Sequence, residues 1–318
     1  MCMHPDLEAF LDLVAAAGRD PMHRQPLAIA RAEYDRAARD LDDTTDAVAE
    51  IRHCAVPCRD SATVAARLYL PQQPQRGAGL PVLLYFHGGG YTVGGLDSHD
   101  GLCRALCART PCAVLSVAYR LAPEHKFPTA CNDAEDAYLW LLEHGRALGL
   151  DTRRIATGGD SAGGTLATAL ALMARDATWP KPRAQVLLYP CTSASQDTAS
   201  HRRYASGYLL EGDTLQWMYA HYLRNDDDRE DRRFAPLEAP DLRGLPAAFV
   251  GLAEHDVLLD EGLGYAERLK AAGVPTTVVV YEGMVHDFAR LANVVPEAAQ
   301  RVRSEMAAFL ARAFTRCD

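Results

Sequence analysis

The 318-residue sequence lacks any uninterrupted apolar run long enough for a transmembrane helix, which takes ~18 residues or more. It also lacks a CxxC pair. The nine cysteines (Cys2, Cys54, Cys58, Cys103, Cys107, Cys112, Cys131, Cys191 and Cys317) are odd in number. Neither Cys54/Cys58 nor Cys103/Cys107 is matched by a second half-site, which argues against a disulfide framework or a structural zinc and for reduced thiols. No metal is expected. The opening stretch "MCMHPDLEAFLDLVAAAG" has no basic leader and is punctuated by Asp6, Glu8 and Asp12. It reads as an amphipathic helix and not as a signal peptide, so the expected location is cytoplasmic. Positive charge is in deficit: 33 Lys and Arg stand against 42 Asp and Glu, for a net charge of −9. That balance disfavours nucleic acid or an anionic membrane surface as the partner. Internal repeats, low-complexity linkers and a GxxxxGK[ST] phosphate loop are all absent.

What the chain does have is a 48% hydrophobic content, enough for a large buried core. "TVAARLYL" (63–70) alternates as a half-buried strand does. "PVLLYF" (81–86), "AVLSVAY" (113–119), "RIATG" (154–158), "QVLLYP" (185–190), "AAFVGLA" (247–253) and "TTVVVYE" (276–282) are short, nearly continuous apolar runs. Such runs suit strands buried on both faces of a mostly parallel sheet. Helical patterns at 98–109, 128–146, 163–175, 260–272 and 296–314 lie between and after them, implying βαβ units. Residues 1–48 are helix-like, with a long pattern in "LAIARAEYDRAARDL". Residues 192–235 are too long for an αβ loop and form an inserted element. Its charge run "RNDDDREDRR" is expected to be a solvated loop.

Two glycine clusters carry chemistry. "RIATGGDSAGGTLATALAL" is strand, Gly-flanked serine, helix: the setting that a GxSxG nucleophile elbow requires, here Gly159 to Gly163. "LLYFHGGGYTVG" ends a strand in His87 and three glycines, whose backbone N–H groups could converge on a developing oxyanion. The N–H of Ala162, the residue after the nucleophile, is the expected companion donor. A nucleophilic Ser161 needs a base and an orienting acid. His286, just past "TTVVVYE", and Asp256, just past "AAFVGLA", complete the chain order nucleophile, acid, base. His255, Glu254 and Asp260 are the competitors, and His87 more plausibly braces the glycine loop.

The motifs "HGGGYTVG", "YRLAPEHKFP", "GGDSAGG", "AEHDVLLDEG" and "YEGMVHDF" resemble those of the hormone-sensitive-lipase-like bacterial esterases of the α/β-hydrolase superfamily. The resemblance runs from about residue 80 to 290. It implies an α/β-hydrolase fold: catalytic segments 49–191 and 236–318 under a helical cap built from 1–48 and 192–235. It also implies cofactor-independent hydrolysis of short- to medium-chain acyl esters through Ser161, His286 and Asp256, with the N–H groups of Gly88, Gly89 and Ala162 stabilising the oxyanion. An amidase, a lactonase or a non-catalytic receptor on the same fold is the alternative. Tyr91, Tyr208 and Leu209 are expected to contact substrate, the last two in the acyl pocket. Where this family usually has glycine after the histidine, the chain has Asp287, which puts the pH dependence in question. The last strand is unblunted by lysine or proline before Glu282, so a homodimer through that edge is expected.

Overall fold

The computed structural model describes residues 3–72 and 79–315; Cys2 and Cys317 lie outside the described residues. The apolar runs become one eight-stranded sheet: β1 (Glu50–Pro57), β2 (Thr63–Leu70), β3 (Leu80–Phe86), β4 (Ala113–Val117), β5 (Leu150–Asp160), β6 (Ala184–Leu188), β7 (Ala247–His255) and β8 (Thr276–Val285). Their spatial order is β1-β2-β4-β3-β5-β6-β7-β8. The β1–β2 and β2–β4 pairs are antiparallel, and every other pair is parallel. All residues of β3, β4 and β6 are buried, as covering on both faces requires. The sequence reading contains no β1, and the reason is visible: only Val56 of "EIRHCAVP" is buried. An edge strand with mixed exposure shows neither alternation nor an apolar run.

Nine helices are described: α1 (Pro5–Ala16), α2 (Leu27–Leu41), α3 (Asp100–Arg109), α4 (Thr129–His144), α5 (Ala162–Asp176), α6 (Ala199–Arg203), α7 (Gly212–Tyr222), α8 (Leu259–Ala271) and α9 (Pro296–Thr315). Leu141, Leu166, Leu170 and Leu269 of α4, α5 and α8 belong to one apolar cluster. Leu102, Leu106, Val302, Met306 and Leu310 of α3 and α9 belong to the other, on the opposite face of the sheet. The sheet is therefore sandwiched, and its strand ends point to a common carboxyl edge.

Two stretches stand outside this alternation, residues 5–41 and 192–235, and they touch each other: His23 Nδ1 lies 3.0 Å from Thr214 Oγ1 of α7. The ends of the second stretch are tied together, Leu237 N–H donating to Thr192 O at 2.8 Å. Half of the charge run is solvent-exposed as expected, Arg224 to Asp227 and Glu230, and part of it is packed. Asp228 is buried and accepts from Arg224 Nη2 at 2.5 Å, while Arg233 pairs with Asp231 and lies over the Phe127 ring. Local acid–base pairing lets these charges be packed. All seven described cysteines are free. Among the described residues no helix is long and apolar enough to cross a membrane.

Candidate active site

Ser161 falls at the turn from β5 into α5 with φ 52° and ψ −124°, a conformation that side chains other than glycine rarely hold. Its N–H donates to Leu188 O at 2.8 Å, anchoring the turn to β6. The flanking glycines let the backbones meet. A Cβ on Gly163 would stand 2.0 Å from Phe86 O, and one on Gly159 would stand 2.3 Å from the Gly163 carbonyl carbon. Both distances are far inside van der Waals contact, so glycine is required by close approach of β3, β5 and α5.

Two loops at the same carboxyl edge bring up the other groups. His286 follows β8, and its Nε2 is 3.1 Å from Ser161 Oγ. Asp256 follows β7, and its Oδ2 is 2.7 Å from His286 Nδ1. The second carboxylate oxygen accepts the Leu258 N–H at 3.0 Å, which fixes the carboxylate plane. Asp256 is 1% exposed and His286 5%. Burial pushes the imidazole toward its neutral form, but Asp256, Asp287 and Asp160 together outweigh it and raise its pKa. The competitors are occupied elsewhere. His255 stacks on Tyr208 with rings 5.7 Å apart. Glu254 accepts the Gly283 N–H, and Asp260 the Ser200 N–H.

The glycine loop is held from below. His87 Nδ1 is 2.7 Å from Gly88 O, its ring is stacked on Tyr119, and burial pushes its pKa down to about 3. It is a neutral brace. The Gly88 N–H donates to Asp160 Oδ1 at 3.2 Å, so it is already spent. Among the described residues no acceptor faces the N–H groups of Gly89, Gly90 or Ala162. Gly88 and Gly90, at φ +57° for the latter, also cannot carry side chains: a Cβ would meet Asp160 Oδ2 at 2.3 Å and Met218 Sδ at 2.0 Å respectively.

Asp160 itself is fully buried. It also accepts from Tyr85 Oη at 2.5 Å and sits 3.1 Å from His99 Nε2. Burial alone would raise its pKa; the His99, Arg290 and Tyr85 side chains outweigh that and lower it. Asp287 is paired with the buried Arg290 at 2.6 Å. Arg290 in turn donates to Ser98 O at 2.9 Å and to Tyr34 Oη of α2 at 2.6 Å. The sequence reading singled out neither Asp160, His99, Arg290 nor Tyr34. They come from four separate segments and only the fold joins them.

The expected substrate contacts fare differently. Tyr91 is 1% exposed and stacked on Tyr222 of α7, ring centroids 3.8 Å apart, so it ties the glycine loop to α7 and presents no open face. Tyr208 and Leu209 are half-buried. Leu209, at φ 70°, packs against the apolar cluster on the α3 and α9 face of the sheet, and Tyr208 packs against both clusters. Cys58, Asp133 and Asp136 cluster closely enough to suggest a cation site. Arg120 and Arg59 already neutralise the two carboxylates at 2.6 and 2.8 Å, and burial pushes the thiol up to about 11. The cluster is an ion-pair network.

A Ser, His and Asp hydrogen-bonded in sequence at the strand ends of such a sheet define the class of serine hydrolases with an α/β fold. Residues 83–290 match the family described as alpha/beta hydrolase fold. An ethyl acetate hydrolase of Pseudomonas putida is 43% identical over 303 residues, covering 94% of this chain and 95% of the relative. The carboxylesterase NlhH of Mycobacterium tuberculosis is 41% identical over 248 residues, 77% of each chain. Among solved structures, an ester hydrolase from the metagenome of Lake Arreo, complexed with a bipyridine phosphonate derivative, superposes with a TM-score of 0.94 at 36% identity, covering 99% of this chain and 100% of that one. A thermostable esterase from Pseudomonas putida ECU1011 gives a TM-score of 0.94 at 33% identity over 99% of both chains. The chain belongs to the α/β-hydrolase fold family, in its hormone-sensitive-lipase-like esterase branch. It is a carboxylic ester hydrolase.

Proposed function

We propose that the chain hydrolyses short- to medium-chain acyl esters with Ser161 as nucleophile, His286 as general base and Asp256 as the acid that orients it. The observation that carries this reading is the unbroken hydrogen-bonded relay from Ser161 Oγ to His286 Nε2 at 3.1 Å and from His286 Nδ1 to Asp256 Oδ2 at 2.7 Å. His286 takes the Ser161 proton as Oγ attacks the ester carbonyl, and Asp256 stabilises the imidazolium that forms. His286 then protonates the leaving alcohol, and a water repeats the sequence on the acyl-enzyme. No metal or organic cofactor is required by these steps.

The oxyanion donors are the N–H groups of Gly89, Gly90 and Ala162. Gly88 was the sequence-based candidate, and its engagement with Asp160 replaces it by Gly90. Donors of this kind each contribute about 2.7–4 kcal/mol to lowering the barrier. Residues 1–48 and 192–235 form the cap over this site, with the half-buried Tyr208 and Leu209 lining the substrate pocket. The free thiols favour a reducing, cytoplasmic compartment. A homodimer forms through the Thr276–Val280 part of the β8 edge.

Turnover of p-nitrophenyl acetate, with and without a serine-directed phosphonate, tests the reading. Hydrolysis that is lost in proportion to one phosphonate adduct per chain is expected. Turnover unaffected by full labelling contradicts it.

A further inference from the structure

Cys191 stands outside every motif, three residues beyond the end of β6. Its Sγ lies 3.8 Å from Ser161 Oγ, and the residue is 2% exposed. Its position is fixed twice. Thr165 Oγ1 of α5 donates to Cys191 O at 2.5 Å, and the buried Tyr219 of α7 sets its hydroxyl beside the thiol. Tyr219 is itself wedged edge-on against Phe234, ring centroids 4.9 Å apart. Burial pushes the thiol up to about 12, so the group is a neutral wall and no rival nucleophile.

The stereochemistry of attack says which part of the substrate meets this wall. The tetrahedral carbon on Ser161 Oγ carries three other substituents. The oxyanion must face Gly89, Gly90 and Ala162, and the leaving oxygen must face His286 Nε2 to receive its proton. The acyl chain takes the direction that remains. Cys191 touches Oγ from a segment that is neither the glycine loop nor the histidine loop, and the α7 helix closes the space behind it with Tyr219 and, over Gly90, Met218.

We propose that Cys191, backed by Tyr219, is the specificity-determining wall of the acyl pocket and restricts the enzyme to acetyl- and propionyl-sized acyl groups. This rests on the esterase reading above and narrows its substrate class.

The test compares kcat/KM for p-nitrophenyl acetate and p-nitrophenyl butyrate in wild type, Cys191→Ala and Cys191→Leu. A ratio of two substrates is insensitive to the folded fraction, so a partly misfolded variant still reports. The wild type should prefer acetate. One methylene against a pocket wall changes specificity by about 10-fold or more, so the acetate-to-butyrate ratio should fall about 10-fold in Cys191→Ala and rise in Cys191→Leu. A parallel series of alkyl acetates should keep its chain-length profile in both variants. An unchanged acyl ratio in both variants, or a change confined to the alcohol series, overturns the assignment. A wild type that hydrolyses none of these esters overturns the esterase reading itself, and the wall with it.

Discussion

Asp256→Asn changes one atom and, by the geometry of the site, should disable the base completely. The native carboxylate uses Oδ1 to accept the Leu258 N–H at 3.0 Å and Oδ2 to face His286 Nδ1 at 2.7 Å. An asparagine has a single carbonyl oxygen, and the buried Leu258 N–H will claim it, because an unpaired buried donor costs about 1–3 kcal/mol. The amide NH2 is then turned toward Nδ1, which must become an acceptor. That forces the proton onto Nε2, where it points at Ser161 Oγ 3.1 Å away. A ring nitrogen that already carries a proton cannot take one from the serine. The wrong tautomer in such a triad lowers kcat about 10⁴-fold, or about 5.5 kcal/mol of barrier at about 1.36 kcal/mol per decade. The assay is kcat for p-nitrophenyl acetate beside a thermal melt that verifies folding, with Glu254→Gln as the matched control. A loss under 10-fold in folded Asp256→Asn, or a larger loss in Glu254→Gln, refutes the assignment of the acid.

Asp287→Gly should move the acid limb of the kcat/KM profile to lower pH. The Asp287 carboxylate favours the imidazolium of His286, only the neutral ring acts as base, and removing the carboxylate frees that ring at lower pH; an unmoved limb contradicts the coupling. The same change leaves the buried Arg290 without its 2.6 Å partner, which costs about 3–5 kcal/mol, offset by about 1 kcal/mol because Asp287 sits at φ 67° where glycine is at ease. Denaturant midpoints measure the balance, and an equally stable variant contradicts it. Beside Thr276 to Val280 of β8 no further strand of the described residues is paired, whereas beyond them the His4 N–H donates to Gly283 O at 3.0 Å and α9 reaches Tyr281 through Glu305 and Arg301. Val280, 36% exposed, is the position where lysine tests pairing without disturbing the core, whereas Val278 is partly packed into it. Light scattering should show a wild-type dimer and a Val280→Lys monomer, and a wild type at 34.7 kDa refutes the interface.

How much of this was legible in the sequence follows from where each signal resides. Strands covered on both faces, such as β3, announce themselves because every residue is apolar. The amphipathic pattern "LAIARAEYDRAARDL" coincides with α2, Leu27–Leu41. Ser161, His286 and Asp256 were readable because each follows a recognisable strand and the fold delivers strand ends to one edge. The sequence could not say which of three consecutive glycines has a free N–H. That depends on Asp160, whose buried carboxylate claims Gly88. Nor could it reveal that Arg290 binds Tyr34, 256 positions away, or that Cys191 touches Ser161. Long-range polar partners leave no periodicity. In the charge run 224–233, half of it exposed, composition reports charge, and only geometry reports that Asp228 pairs with Arg224 and Asp231 with Arg233.

The central claim is that one hydroxyl does the chemistry, and the most direct measurement is kcat of Ser161→Ala with p-nitrophenyl acetate. Removing Oγ leaves the turn, whose φ of 52° is held by the backbone bond to Leu188, and leaves His286 and Asp256 paired. The account predicts a folded protein with kcat reduced about 10⁴-fold or more. Retention of more than about a tenth of wild-type activity, a loss of under ~1.4 kcal/mol of barrier stabilisation, would contradict it.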